Sequence, residues 1–121
     1  MIIIAMRLAI PHWQNRVSPV LDVAGTLLLV DVAEGVETGR QNIALEDENP
    51  QKRAKYIEEL GINVLICGAI SGPLELALVN AGIEVIPQTC GEVNQVIDAF
   101  LSDRLDQGMF LMPGCCGRRR R

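Results

Sequence analysis

Four cysteines and a single histidine are the residues of this chain best suited to metal or redox chemistry. Cys67 and Cys90 each follow an apolar segment, Cys115 and Cys116 form an adjacent pair near the C-terminus, and the histidine is His12. Thiolate sulfur and imidazole nitrogen suit iron–sulfur clusters and other transition-metal groups. No Cys-x-x-Cys spacing occurs, which disfavours both a thioredoxin-like redox motif and a structural zinc site.

Each of these residues also has an ordinary structural interpretation. Cys67 and Cys90 can be small buried residues near strand ends, and His12 can be a surface residue in a loop. The pair Cys115 and Cys116 stands in a glycine-rich segment, where exposed thiols favour a ligand or redox role. Residue type alone leaves these alternatives open, and the choice between them depends on the elements that position the side chains.

Other common catalytic constellations do not occur in the sequence. With one histidine and no base placed near a nucleophile, a Ser–His–Asp triad cannot be assembled. Neither the Gly-x-Gly-x-x-Gly pattern nor the Walker pattern is present, which disfavours a nucleotide-dependent enzyme. The first apolar segment carries no Asp or Glu for a two-metal nuclease site, and Asp22, Asp31 and Glu34 are expected to be turn residues. We therefore predict a protein without catalytic activity.

Five apolar or alternating segments predict strands. The runs Ile2–Ile4 and Leu27–Val30 are almost continuously apolar, as in strands that are covered on both faces. A more polar segment follows the turn Glu34-Gly35 and predicts an antiparallel edge strand. The predicted strands are 1–10, 26–33, 36–45, 62–67 and 83–87.

Three predicted helices alternate with the later strands. Asn49-Pro50 supplies an N-cap and a first-turn proline for a helix that ends at Gly61, and Ser71-Gly72-Pro73 begins the second helix. Thr89 and Glu92 fit the capping-box pattern, which predicts that the third helix starts at Cys90.

Helix–strand repeats with right-handed crossovers predict an α/β fold with a parallel half-sheet. We expect a mixed five-stranded sheet with helices on its faces, as three α/β/α layers, in a strand order similar to that of ribonuclease H-type folds. Residues 1–106 form this single predicted domain, and residues 107–121 form a flexible tail rich in Cys and Arg.

Ligands of open α/β sheets bind beyond the carboxyl ends of the parallel strands. Two helix N-termini are expected at that edge, where free N–H groups suit an anion and lower the pKa of a nearby cysteine. We expect the residues that follow the strands to share one crevice there. The predicted binding residues are Gly68, Ser71, Gly72, Gly91 and Arg16, and the predicted metal ligands are Cys90, Cys67, Cys115, Cys116 and His12.

Composition and charge narrow the classes of partner. The chain has 121 residues, of which 49% are hydrophobic and 21% charged, as in a single globular domain. Without the terminal run Arg118–Arg121, the chain has seven basic and fifteen acidic residues, and an acidic protein is a poor match for nucleic acid. Aromatic residues, on which bases could stack, make up only 3%, so no nucleic-acid partner is expected. No apolar run is long enough to cross a membrane, and the N-terminus lacks signal-peptide features. We therefore expect a cytoplasmic protein, in which the cysteines are reduced.

Four blocks of the sequence, in order, resemble the dinitrogenase iron–molybdenum cofactor biosynthesis family. They are Ile10–Ala24, Leu28–Val32, Gly61–Ser71 and Ala81–Pro87. The resemblance implies a ribonuclease H-like domain that binds or carries an iron–sulfur or molybdenum-containing cluster. Family members often carry a histidine after the Ser-Pro pair of the first loop, where this chain has Val20.

Two hypotheses about function follow. The first is a non-catalytic carrier or chaperone for such a cluster or its precursor. The second is a protein-interaction module that docks or regulates a metalloenzyme or a cofactor-assembly protein without holding metal itself. The identity of the metal, the oligomeric state and the pathway stay open at this point.

Overall fold

The computed structural model describes residues 5–46 and 49–102. The predicted tail, with Cys115 and Cys116, lies outside the described residues. The elements are β1 (Ala5–Trp13), β2 (Arg16–Val17), a 3-10 turn (Leu21–Val23), β3 (Thr26–Ala33), β4 (Val36–Ala44), α1 (Pro50–Glu59), β5 (Val64–Ile66), α2 (Gly72–Asn80), β6 (Glu84–Ile86) and α3 (Val93–Leu101).

The sheet has the order β4-β3-β1-β5-β6, and β2 pairs with β1 off this path. β1, β5 and β6 run parallel to one another, whereas β3 and β4 are antiparallel to their neighbours. The prediction of a mixed α/β sheet is therefore confirmed, with the short β2 as a sixth strand. The turn between β3 and β4 is also confirmed: both Glu34 (φ 55°) and Gly35 (φ 79°) adopt the left-handed conformation that a tight hairpin requires.

The first strand ends three residues later than the sequence predicts. It continues past Ile10 to Trp13, because Pro11 still pairs with β3 and the last two residues pair with β2. A two-residue turn at Gln14 (φ 51°) and Asn15 (φ 65°) makes this β1–β2 pairing possible. His12 therefore lies in a strand, not in a loop.

The first two helices begin where their capping residues predict. The Asn49 side chain accepts hydrogen bonds from two backbone amides of α1 at 3.0 and 3.1 Å, and Pro50 occupies the first helical position. Gly61, with φ 72°, follows the end of α1. Ser71 is the N-cap of α2, and its hydroxyl accepts from the amide of Leu74 at 3.4 Å.

The predicted capping box of the third helix is wrong. α3 begins at Val93 after an N-cap at Glu92, and no side chain caps it. The hydroxyl of Thr89 is buried and donates to the carbonyl of Pro87, while its backbone amide donates to the carbonyl of Cys67. Because residues 87–92 first pair with neighbouring loops, the helix starts later, and Cys90 lies in the loop before it.

Two apolar clusters confirm the three layers. Leu8 and Ile10 of β1 pack with α3, and the alternate residue Ala9 packs on the face covered by α1 and α2. This alternation is the period-two pattern of a strand buried on both sides. Within the described parts of the chain, no helix is both long and apolar enough to cross a membrane.

Candidate functional site

Three loops meet at the carboxyl ends of the parallel strands, and we call this edge the rim. Loop A (14–20) follows β1 and includes β2, loop B (67–71) follows β5, and loop C (87–92) follows β6. Backbone hydrogen bonds of 2.7 to 2.9 Å join loop B to loop A, loop C to loop B and loop A to loop C. The expectation that these strand ends converge at one edge is confirmed.

Gly68 sets how closely loops A and B approach each other. A Cβ at this position would lie 2.5 Å from the carbonyl oxygen of Pro19 and 2.7 Å from that of Ser18. The carbonyl of Gly68 also accepts the backbone amide of Gln88 at 2.9 Å. Gly68 is buried among these backbone groups. In this structure it therefore joins the loops, and as a buried residue it offers little surface to a ligand.

Cys67 lies in the apolar core between the sheet and helices α1 and α2, and its side chain has no exposed surface. Burial, together with smaller contributions from the carboxylates of Glu75 and Asp22, raises the pKa of the Cys67 thiol to about 12. A thiol in this setting keeps its proton at neutral pH and is closed to solvent. The geometry therefore agrees with the structural interpretation of Cys67 rather than with its expected role as a ligand.

His12 and Cys67 lie on opposite faces of the sheet. His12 has the same strand parity as Leu8 and Ile10, which pack toward α3, whereas Cys67 packs toward α1 and α2. The Nε2 atom of His12 is 2.7 Å from Oδ1 of Asn42 in β4. The expectation of one crevice shared by the two side chains is wrong, because residue parity along β1 and β5 directs them apart.

The N-terminus of α2 already has an anionic partner within the chain. A carboxylate oxygen of Asp22 accepts the backbone amide of Ser71 at 2.8 Å, and Glu75 lies in the first turn of the helix. The exposed residue Gly72 follows at the first helical position. Two carboxylates therefore stand where an anionic ligand was expected, and electrostatic repulsion weakens any anion site built on Ser71 and Gly72.

The other predicted rim residues remain accessible. Cys90 is half-buried in loop C, and Arg16 is exposed in β2. Gly91 has φ 123°, which glycine adopts readily, and its carbonyl accepts the amide of Val17 at 2.9 Å. Arg16 and Glu92 form an isolated antiparallel bridge that ties β2 to loop C. Of the two cysteines in the described residues, only Cys90 reaches the surface.

The described residues do not by themselves form a multidentate metal site. Within 5–46 and 49–102, no three side chains of His, Cys, Asp or Glu are grouped so that they could hold a metal ion. A cluster at the rim would therefore need ligands in addition to Cys90. The predicted ligands Cys115 and Cys116 lie outside the described residues.

Two rim features were not predicted from the sequence. Asp22 was expected to be a turn residue, but its partner is 49 positions away, and no local pattern indicates such a contact. Trp13 is 70% exposed at the end of β1, and Val23 is 62% exposed in the 3-10 turn. Aromatic residues make up only 3% of this chain, so a solvent-exposed tryptophan is an unusual feature. The low aromatic content could have drawn attention to Trp13 in the sequence.

Comparison with known proteins places these features in a family. The family model described as dinitrogenase iron–molybdenum cofactor matches residues 3–103, most of the chain. No curated protein sequence matches the chain.

Solved structures share the fold. The protein PH0822 superposes with a TM-score of 0.78 at 21% identity, covering 83% of this chain and 94% of that one. A candidate dinitrogenase from Methanocaldococcus jannaschii gives a TM-score of 0.72 at 20% identity, with 84% and 93% covered. The apo form of the orange protein from Desulfovibrio gigas gives 0.69 at 20% identity, with 88% and 95% covered. At this level of identity the similarity establishes the fold.

Proposed function

The chain belongs to the dinitrogenase iron–molybdenum cofactor family, and from this premise we propose that it is a non-catalytic carrier for an iron–sulfur or molybdenum-containing cluster. Membership makes it a small cofactor-related protein; the nature of the cargo is our proposal. The observation that carries the proposal is the position of Cys90, a half-buried cysteine at the edge where the three loops meet.

The charges of the rim indicate where such a cargo binds. Clusters of this kind are anionic and rich in sulfur, so they favour soft ligands and positive surroundings. The α2 side of the rim carries Asp22 and Glu75 and is therefore unfavourable. On the β2 side, the exposed residue Arg16 forms a backbone bridge with Glu92 of loop C, the loop that contains Cys90. We propose that the cargo binds on this β2 side.

The donor set fits a cluster only in part. Cys90 supplies one sulfur ligand, Cys67 is buried, and His12 faces the α3 side of the sheet. The additional sulfur ligands that a cluster requires come, in this proposal, from Cys115 and Cys116. In this proposal, one thiol on the folded body and two near the C-terminus hold the cargo together.

Anaerobic loading of the full-length protein with ferrous iron and sulfide, with and without tetrathiomolybdate, tests the proposal. The expected result is absorption from sulfur-to-metal charge transfer that co-elutes with the protein. Cys90→Ala and the double variant of Cys115 and Cys116 to Ala should each reduce the bound metal at least fivefold. Cys67→Ala is the matched control, since it removes a buried thiol, and it should load like the native protein. Unchanged loading of Cys90→Ala would refute the assignment.

The exposed side chains of Trp13 and Val23 favour a second candidate function. Exposed aromatic residues are enriched at protein interfaces, so these two can anchor a metalloenzyme or a cofactor-assembly protein. In an interaction module that holds no metal, Trp13→Ala or deletion of Arg118–Arg121 should weaken association with that partner. Cys90→Ala should leave association unchanged. Partner binding that depends on Cys90 and on loaded metal would instead support the carrier.

A further inference from the structure

Helix α2 carries apolar side chains on two faces, and only one of these faces is packed against the sheet. Leu74 and Leu78 are buried in the core, whereas Leu76 and Val79 are 62% and 47% exposed. The neighbouring helix α1 instead has mainly charged and polar residues on its exposed side. A helix that is apolar on all sides is typically covered on all sides. We therefore expect the outer face of α2 to have a partner.

The outer face of α2 forms one wall of a groove of about 630 Å³, and strand β6 forms the other wall. β6 is the last strand of the sheet, and within 5–46 and 49–102 no further strand pairs with its outer side. Edge strands are usually covered, because their free backbone groups can otherwise pair with another chain. The apolar lining of the groove consists of Leu76, Val79, Ile83 and Val85.

The charge of the groove restricts what can occupy it. Its charged lining residues, Glu75 and Glu84, are both acidic. Residues 1–102 as a whole contain thirteen acidic and only six basic side chains. In a symmetric dimer through this face, the same acidic groups of two copies would approach each other and repel. An apolar segment that is followed by positive charge is the better match.

The chain itself contains a segment with these properties. Its residues 109–112 are Met, Phe, Leu and Met, and the only charged residues that follow them are the four arginines 118–121. Aromatic and leucine side chains bury large apolar areas, and methionine adapts to irregular gaps. This segment therefore matches both the apolar lining and the acidic charge of the groove.

Helix α3 ends on the side of the sheet from which this segment can reach the groove. Val93 at the start of α3 bonds to loop A at the rim, and the last residues of α3 pack with Met6 at the start of β1. The groove opens at the same end, where Ile83 precedes β6. From Ser102 to Met109 an extended chain spans up to about 25 Å, which exceeds the roughly 20 Å between helices on opposite faces of a sheet.

We propose that residues 109–112 pack in the groove between α2 and β6 and run from its Ile83 end toward the rim. The arginines then follow at the rim, where they offset the carboxylates of Glu75 and Asp22. Three residues from position 112 to Cys115 span about 10 Å, so the cysteine pair is held near the end of β6, where loop C with Cys90 begins. The role of that pair rests on the proposed carrier function, whereas the docking requires no metal.

Paramagnetic relaxation in the metal-free, full-length protein tests the docking. A nitroxide is attached to Cys116 in a protein that carries Cys90→Ser and Cys115→Ser. The remaining cysteine, Cys67, is buried and closed to the reagent. The methyl groups of leucine and valine are isotope-labelled, and their relaxation is compared with and without reduction of the nitroxide.

The relaxation effect falls steeply with distance from the nitroxide, so its pattern locates the segment. We expect an effect at least about fivefold stronger at Leu76 than at Val36, which starts β4 on the opposite edge of the sheet. Equal effects at the two residues would overturn the proposal. In a mixture of nitroxide-labelled protein without isotopes and isotope-labelled protein without nitroxide, the effect should vanish. An effect that persists there would assign the groove to the tail of a second copy and would also overturn the proposal.

Variants on both sides of the contact show whether apolar packing holds the segment. Leu111→Ser in the segment and Val79→Asp in the groove should each lower the effect at Leu76 at least about threefold. Val36→Asp makes the same change at an exposed valine on the opposite edge and should leave the effect unaltered. An effect that survives Leu111→Ser would refute the docking. Intact docking together with failed metal loading would refute the carrier function alone.

Discussion

The carboxylate of Asp22 accepts a hydrogen bond from the backbone amide of Ser71, at 2.8 Å, across 49 positions of sequence. This contact ties the 3-10 turn that follows loop A to the start of α2. It also places a negative charge at the positive end of that helix, where carboxylates are stabilising. The same carboxylate raises the pKa of the Cys67 thiol beneath it. Asp22 therefore holds the 3-10 turn against the start of α2 and helps to keep the Cys67 thiol protonated.

Removal of the Asp22 carboxylate should destabilise the fold. Asp22→Ala loses both the hydrogen bond to Ser71 and the interaction with the helix dipole, and we expect a loss of about 1–2 kcal/mol in the free energy of unfolding. Urea denaturation followed by circular dichroism measures it. Asp22→Asn keeps the acceptor oxygen without the charge and should lose less than half as much. An Asp22→Ala variant as stable as the native protein would show that the contact contributes nothing.

Replacement of Gly68 should be far more harmful than replacement of Gly72, four positions later. Gly68→Ala drives a Cβ against the carbonyls of Ser18 and Pro19, which are backbone atoms that cannot rotate away. We expect a loss of about 3 kcal/mol or a failure to fold. Gly72→Ala has open space around its Cβ and should change stability by less than about 1 kcal/mol. Thermal denaturation of the two variants, compared side by side, checks the difference.

Local chemistry in the sequence predicted the parts of the fold that depend on neighbouring residues. The Asn49-Pro50 start of α1 and the Glu34-Gly35 turn are decided within four residues, and both are confirmed. The capping box at Thr89 failed because its hydroxyl and amide are used by Pro87 and Cys67, which belong to other segments of the rim. A propensity pattern cannot reveal such competition between local and tertiary hydrogen bonds.

The candidate site was predicted at the level of segments but not of side chains. Strand order was enough to bring loops A, B and C to one edge. It did not reveal that His12 continues β1 and therefore faces α3, because the end of a strand depends on the pairing with β2. Asp31 shows the same limit: it was expected in a turn, but it lies within β3 and receives a 2.8 Å hydrogen bond from Arg7.

The two described cysteines should differ sharply in reactivity. In a background that lacks Cys115 and Cys116, native protein treated with a thiol-specific disulfide reagent at about pH 8 should be modified at Cys90 and not at Cys67. The reason is that the Cys67 thiol is closed to solvent and its pKa is raised to about 12, so neither access nor thiolate is available. Peptide mass mapping identifies the modified site. Denaturant should expose both cysteines, and modification of Cys67 at the same rate as Cys90 in native protein would contradict the structure.

The buried thiol should also give stability an alkaline dependence. An unfolded chain releases the Cys67 proton above its ordinary pKa of 9.0, whereas the folded protein retains it until about pH 12. Between these values the folded state binds more protons, so the free energy of unfolding falls as pH rises, by up to roughly 1.4 kcal/mol per pH unit from this group. Below pH 9 the thiol is protonated in both states and contributes no slope.

The variant Cys67→Ala isolates the contribution of this thiol from those of all other groups. Its free energy of unfolding, measured by urea denaturation from about pH 8 to about pH 11, should fall less steeply than that of the native protein. The difference in stability between the two proteins should stay constant up to about pH 9 and then shift in favour of the variant. Parallel curves over the whole range would mean that Cys67 ionises equally well in the folded state. That result would bring the thiol back into consideration as a ligand, because a thiolate could then form at that position without cost to the fold.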